Sequence, residues 1–209
     1  MLKVIAIRHG QTEGNREKSY RGRWDLPLDP LGRQQAELAA KALAGLEPEA
    51  VFCSPLLRAR QTAEAIAAPY GLQVQDEPDL IDIDYGLWTR RTDSEVAAAE
   101  PELYRLWREH PEKMTFPGGE NLLAVRNRVQ NLLKRLSSRS GTLFLCGHRV
   151  SIKMLVMVAL GLPDAAFWQI KIDTASITTL ELEEGRWRLM LLNDVCHLKT
   201  LSTGEPPDF

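Results

Sequence analysis

The chain has 209 residues, enough for one α/β domain or for one domain carrying a small insert. Its 26 basic and 28 acidic residues leave a formal charge of -2, so there is neither the basic excess that nucleic acid selects nor an acidic solvating tail. Three cysteines without a CxxC pair read as thiols rather than a disulfide framework or zinc site, and the longest apolar run, MLVMVALGL at 154–162, is too short to span a bilayer. Arg8 and His9 come too early for a signal peptide, so the expected setting is cytoplasmic, with no membrane and no nucleic-acid partner.

KVIAI (3–7) reads as a first strand, and it runs directly into Arg8-His9-Gly10. LDPLGRQQAELAAKALAGL (28–46) reads as a helix with Asp29 as N-cap and Pro30 in the first helical position. Leu31, Leu38, Ala42, Leu43 and Leu46 are its expected buried stripe. AVFC (50–53) is a second strand, and Ser54-Pro55 predicts the cap-plus-proline start of a helix, PLLRARQTAEAIAA.

A short strand near LQVQ (72–75) precedes a polar, aromatic stretch from 76 to 119. That stretch holds a helix, DSEVAAAEPELYRLWREH, broken at Pro101, and then the loop FPGGEN. It is expected to be a helical insert over one edge of the sheet, with its lid portion at about 88–119. NLLAVRNRVQNLLKRL (121–136) is amphipathic, TLFLC (142–146) is a strongly apolar strand, and VSIKMLVMVAL is the helix after it. SITTLELEEGRWRLMLLN (176–193) reads as two strands hinged at Glu184-Gly185. The alternation of strand and helix predicts βαβ units and a largely parallel sheet.

Two of these core strands stop at a histidine, His9 and His148, and parallel strands deliver both to one carboxyl edge. Arg8 arrives with the first, and Arg58 lies near the start of the helix after AVFC, whose free N–H groups favour an anion. Gly10 is expected to let the backbone pass close to that anion, while Thr12 and Asn15 supply hydrogen bonds. Singly, each residue passes for a cap or a surface solubiliser. Arginine forks, a helix N-terminus and imidazoles at one edge make a phosphate site.

IRHGQTEGN resembles the Arg-His-Gly-x-Thr-x-x-Asn signature of the histidine phosphatase superfamily, which includes the cofactor-dependent phosphoglycerate mutases. RGRWDLPLDPLGRQQA, SPLLRARQTA, LCGHRVSIKMLVMVALGLP and NDVCHL resemble its later segments in order, so the likeness runs through nearly the whole chain. It implies one domain over 1–209, a three-layer α/β/α sandwich around a mostly parallel mixed sheet with a small helical insert. By that resemblance His9 is the nucleophile that becomes phosphorylated. Arg8, Arg58 and His148 bind the phosphoryl group, and Thr12 and Asn15 complete the pocket. No metal or cofactor is implied. His9 must keep one ring nitrogen unprotonated to attack, so its other nitrogen is expected to donate to a backbone carbonyl.

The leaving oxygen needs a proton. PDLIDIDYGLW is similar to the segment where the family carries its acid, and Asp82 stands where glutamate is usual. Asp84 is a second candidate on the same side of an extended segment, with Asp82 favoured. Arg21 stands where many relatives carry glutamine, and Arg149 where glycine is common. Arg21, Gly22 and Tyr85, with Arg23, Trp24 and Trp88, are expected to shape the leaving-group pocket, although Trp88, Trp107 and Phe116 serve equally as insert core. His197 reads as structural or rim-forming and His110 as surface.

The leading expectation is hydrolysis of a small phosphorylated metabolite through a phosphohistidine. Likeness of NDVCHL, DIDYGLW and FPGGEN to metal-independent phosphoserine phosphatases puts phosphoserine first. A phosphoglycerate mutase-type phosphotransferase is the alternative, and a phosphate-binding regulatory module without turnover is the third. A homodimer is left open.

Overall fold

The computed structural model describes residues 1–201. Among them six strands form one mixed sheet, in the order β3-β2-β4-β1-β5-β6. β1 (Leu2–Arg8) lies centrally, parallel to β4 (Gly141–Gly147) on one side and antiparallel to β5 (Ile177–Glu183) on the other. β2 (Pro48–Cys53) pairs in parallel with β4 and with β3 (Val74–Asp76). β5 and β6 (Arg186–Asp194) form the expected hairpin. Glu184 and Gly185 at its turn both take positive φ, 50° and 76°, as a two-residue turn matched to strand twist requires.

The near-continuous apolar runs of β1 and β4 follow from burial on both faces. Ile5, Ile7, Val51, Phe144 and Cys146 face α2 (Pro30–Ala42) and α3 (Leu57–Ala67), whose Ala39, Ala63 and Ile66 complete that layer. Val4, Ala6, Leu143 and Leu145 belong to the opposite core, with α6 (Leu122–Leu136) and α7 (Arg149–Leu160). Successive residues thus serve opposite layers. This is the expected three-layer sandwich. Among the described residues no helix is long and apolar enough to cross a membrane.

Several local expectations are corrected. Asp29 caps α2 by accepting from the Gly32 N–H, but the helix stops at Ala42. Its buried face is Gly32, Gln35, Ala36, Ala39 and Ala40, continued by Leu43; Leu31, Leu38 and Leu46 are half-buried and Ala42 is exposed. The reason is proximity: a Cβ on Gly32 would stand 2.0 Å from the Gln11 carbonyl oxygen, so small residues face inward. α3 begins at Leu57, later than the Ser54-Pro55 start, because Asp25 accepts the Leu57 N–H at 2.7 Å and Ser54 is used elsewhere.

The insert contains α4 (Asp93–Ala99) and α5 (Pro101–Glu109), broken at Pro101 as read from the sequence. It does not lie over an edge strand. Trp88, Trp107 and Phe116 are fully buried and join the core on the α6–α7 face. There the rings of Tyr20, Tyr85, Trp88, Phe116, Trp107, Phe167 and Trp168 meet in edge or tilted pairs with centroids about 5 Å apart. An aromatic surface of that size is stable only against another apolar layer. α1 (Glu13–Arg16) is a single turn after β1.

Candidate active site

The parallel register of β1 and β4 pairs Arg8 with Gly147, so the next residues, His9 and His148, leave the sheet side by side. Their ring centroids are 5.1 Å apart and both side chains are buried. The His9 N–H donates to the Gly147 carbonyl at 3.0 Å, and the Ala175 N–H donates to the His9 carbonyl at 3.2 Å. His9 Nδ1 lies 2.7 Å from the Gly10 carbonyl, which can only accept. Nδ1 therefore carries the proton, and Nε2 is left with a lone pair.

His148 is the N-cap of α7, in a reciprocal pair with Ser151. Its Nε2 is 2.7 Å from Ser54 Oγ, and its Nδ1 is 3.9 Å from Asp82 Oδ2. Among the described residues that Nδ1 is buried without a hydrogen-bond partner. Ser54 therefore serves His148 instead of capping α3.

Three guanidinium groups surround the imidazoles. Arg8 Nη1 donates to the Ile172 carbonyl at 2.8 Å. Arg58, in the first turn of α3, donates to the Trp24 and Gly22 carbonyls at 2.9 and 2.7 Å, and meets Asp82 Oδ2 at 3.5 Å. Arg21 donates to the Gly14 and Ser19 carbonyls at 3.0 and 2.9 Å. Carbonyl oxygens thus anchor all three guanidinium groups, and Arg58 also faces the Asp82 carboxylate. Burial, then the charge of Arg58, holds both histidines well below the usual imidazole range. Burial also lowers the Arg58 pKa to about 10 against the opposing pull of Asp82. The imidazoles are neutral and the arginines carry the charge.

Thr12 donates to Asn15 Oδ1 from both its N–H and its hydroxyl, at 3.1 and 2.8 Å, which sets the Asn15 amide inside the loop after His9. Gly10 has a different use from the one expected: a Cβ there would stand 2.3 Å from the Gly32 carbonyl oxygen, so it admits α2. Gly22, at φ +48°, brings its loop against the acid segment, where a Cβ would meet the Ile83 carbonyl oxygen at 2.9 Å. Tyr85 buries its ring against Tyr20 and Phe116 and hydrogen-bonds to Arg149. The α3 N-terminus does not offer its first N–H to the site, because Asp25 takes it.

The two aspartates part company. Asp82 is buried between Arg58 and His148. Asp84 accepts from the Gly86 N–H at 2.9 Å and faces the half-exposed Arg23 at 3.6 Å, which makes it a turn cap. Arg128, which sequence reasoning passed over, donates to the Ile81 and Asp82 carbonyls at 3.0 and 3.2 Å and fixes the segment that presents Asp82. Its only sequence signal is a cation on the α6 helix. His197 Nε2 donates to the Ala175 carbonyl at 3.1 Å, just before β5, and His110 is exposed.

Known proteins resemble this chain over nearly its whole length. The family model described as histidine phosphatase superfamily (branch 1) matches residues 4–195. Phosphoserine phosphatase 1 of Hydrogenobacter thermophilus is 36% identical over 200 residues, covering 95% of each chain. The structure of an Entamoeba histolytica phosphoserine phosphatase in complex with 3-phosphoglyceric acid superposes with a TM-score of 0.86 at 26% identity, over 95% of this chain and all of that one. A mycobacterial glucosyl-3-phosphoglycerate phosphatase bound to VO3 gives 0.85 at 30% identity, over 91% and 98%. The chain belongs to the histidine phosphatase superfamily.

Proposed function

We propose that this phosphatase hydrolyses the phosphomonoester of a small metabolite, phosphoserine first, through a covalent phosphohistidine on His9. The observation that carries the reading is the His9–Gly10 hydrogen bond, which leaves Nε2 unprotonated inside a ring of buried guanidinium groups. Nε2 attacks phosphorus, the bond from phosphorus to the ester oxygen breaks, and Asp82 gives that oxygen its proton. Water then attacks the phosphohistidine, returns a proton to Asp82, and the P–N bond breaks to release inorganic phosphate. Arg8, Arg58, Thr12, Asn15 and His148 hold the phosphoryl oxygens. The Leu56 N–H donates to Ser54 Oγ at 3.4 Å, so the serine proton is free to go to His148 Nε2. That places the ring proton on Nδ1, toward Asp82 and the transferring group.

Fixed cations and donors stabilise charge spread over a transferring phosphoryl group without a metal. The chain is read as one catalytic domain, with residues 88–119 as its lid. Phosphoserine is favoured by the name of the 36%-identical relative. The test is a rapid alkaline quench with labelled O-phosphoserine in the presence of chelator. The expected product is an acid-labile, base-stable phosphate that is absent in His9→Ala. Chelator-sensitive turnover with unlabelled His9 would overturn the mechanism. Isomerisation of 3-phosphoglycerate that depends on 2,3-bisphosphoglycerate and outruns phosphate release would make the protein a mutase.

A further inference from the structure

The strand end that presents His9 is held from behind by the loop between α7 and β5. The Arg8 N–H donates to the Ser176 carbonyl and the Ala175 N–H to the His9 carbonyl, each at 3.2 Å. On the other side the His9 N–H is taken by the Gly147 carbonyl of β4. Ala175 itself stands at φ +53°, a left-handed backbone that a residue with a Cβ keeps only where its surroundings impose it.

Two side chains of the C-terminal segment NDVCHL impose it, and the chemistry above uses neither. Asn193 Oδ1 accepts the Asp173 N–H at 2.6 Å while Nδ2 donates to Asp173 Oδ2 at 2.9 Å. The Asp173 carbonyl in turn accepts the Ser176 N–H at 3.2 Å, which closes the turn. His197 Nε2 donates to the Ala175 carbonyl at 3.1 Å. Its ring is carried by the turn Cys196–Leu198, which Asp194 caps by accepting the Cys196 N–H at 2.9 Å and which packs against α2. Ala175 is fully buried, so its carbonyl needs that donor as much as its N–H needs His9.

We propose that His197 and Asn193 are positioning residues for the nucleophile, fixing the turn from Asp173 to Ser176 and, through the Ala175 N–H, the backbone of His9. The proposal rests on the reading that His9 is the nucleophile. Nε2 must meet phosphorus in line, and a displacement of about 1 Å at the reacting group costs up to about a hundredfold in rate. Arg58 and His148 come from α3 and the start of α7 and do not hang on this turn, so binding is expected to survive better than chemistry.

The experiment measures p-nitrophenyl phosphate turnover in His197→Leu, His197→Gln and Asn193→Gly. Leucine removes the donor, glutamine keeps an N–H at similar reach, and glycine keeps the left-handed backbone of Asn193, at φ 54°, without its side chain. His197→Leu and Asn193→Gly are expected to lose about ten- to a hundredfold in kcat with KM within about threefold of wild type, and His197→Gln to recover most of the loss. Unchanged kcat in a folded His197→Leu or Asn193→Gly, or a glutamine variant no better than leucine, would overturn the proposal. Imidazole 15N spectra read the position of His9 without turnover, its signals being identified by their absence in His9→Ala. They are expected to move in His197→Leu and Asn193→Gly and to return in His197→Gln. Unmoved His9 signals would remove the positioning role. Signals that move as expected, in a protein whose His9→Ala variant still turns over, would count against His9 as nucleophile and leave the contact between the turn and His9 standing.

Discussion

Lys153 sits on α7 with 3% of its surface exposed, and the proposed chemistry does not use it. Its Nζ donates to the Phe167 carbonyl at 3.1 Å and lies 4.3 and 4.7 Å from the Phe167 and Trp168 ring centroids. Burial, then the charges of Arg149, Arg8 and Arg108, pushes its pKa down from 10.5 to about 6. At pH 7 the folded protein therefore holds an amine where the unfolded chain holds an ammonium. A lysine pKa depressed by folding means that the unfolded state binds the extra proton between about pH 6 and 10.5. The stability tied to this group is complete above 10.5 and is lost as pH falls toward 6. At one proton, the slope is about 1.4 kcal/mol per pH unit, so at pH 7 the group costs about 5 kcal/mol relative to the alkaline plateau.

Lys153→Met removes that cost and suits the aromatic surroundings. It also removes the hydrogen bond to Phe167, which costs about 1–3 kcal/mol. The variant is thus expected to be more stable than wild type by roughly 2–4 kcal/mol at pH 7. That advantage should shrink by about 3 kcal/mol between pH 7 and pH 9. Urea denaturation of both proteins at the two pH values measures it, since titrations common to both cancel in the difference. A difference independent of pH, or a less stable variant at pH 7, would refute the reasoning.

If Asp82 supplies the leaving-group proton, Asp82→Asn depresses turnover of alkyl phosphates far more than of p-nitrophenyl phosphate, while Asp84→Asn treats both alike; steady-state rates decide, and the reverse pattern exchanges the roles. Arg58→Lys cannot reproduce contacts to two carbonyls and Asp82 together, so kcat/KM is expected to fall about a hundredfold; near-normal kinetics would return Arg58 to a structural role. His9 and His148, both held neutral by burial, are expected to show no imidazole protonation by NMR near pH 6.5. Their depressed pKa values give stability that is full above 6.5 and lost as pH falls, so melting temperatures should drop on acidification. Gly32→Ala drives a methyl to within 2.0 Å of the Gln11 carbonyl oxygen and is expected to cost about 1–3 kcal/mol in urea unfolding.

The sheet was legible in the chain because β1, β2 and β4 are short apolar runs that each need cover on two faces, and the helices between them show their own period. The histidines were legible for the same local reason: each is the first residue past a buried strand, and parallel neighbours end at one edge. The proton on His9 Nδ1 also followed from its immediate neighbour, Gly10. Other features had no local signature. Hydrophobic size predicted large residues on the buried face of α2, whereas its close approach to the loop after His9 selected glycine and alanine. Asp82 and Asp84 are the same residue type two positions apart, and only a turn at Gly86 and the Arg128 anchor separate them. Ser54 reads as a helix cap until β4 places His148 beside it. Periodicity and spacing report what each segment can form and which side it buries. Which charge meets which partner depends on residues tens of positions apart, so it is settled only when the chain has closed around the site.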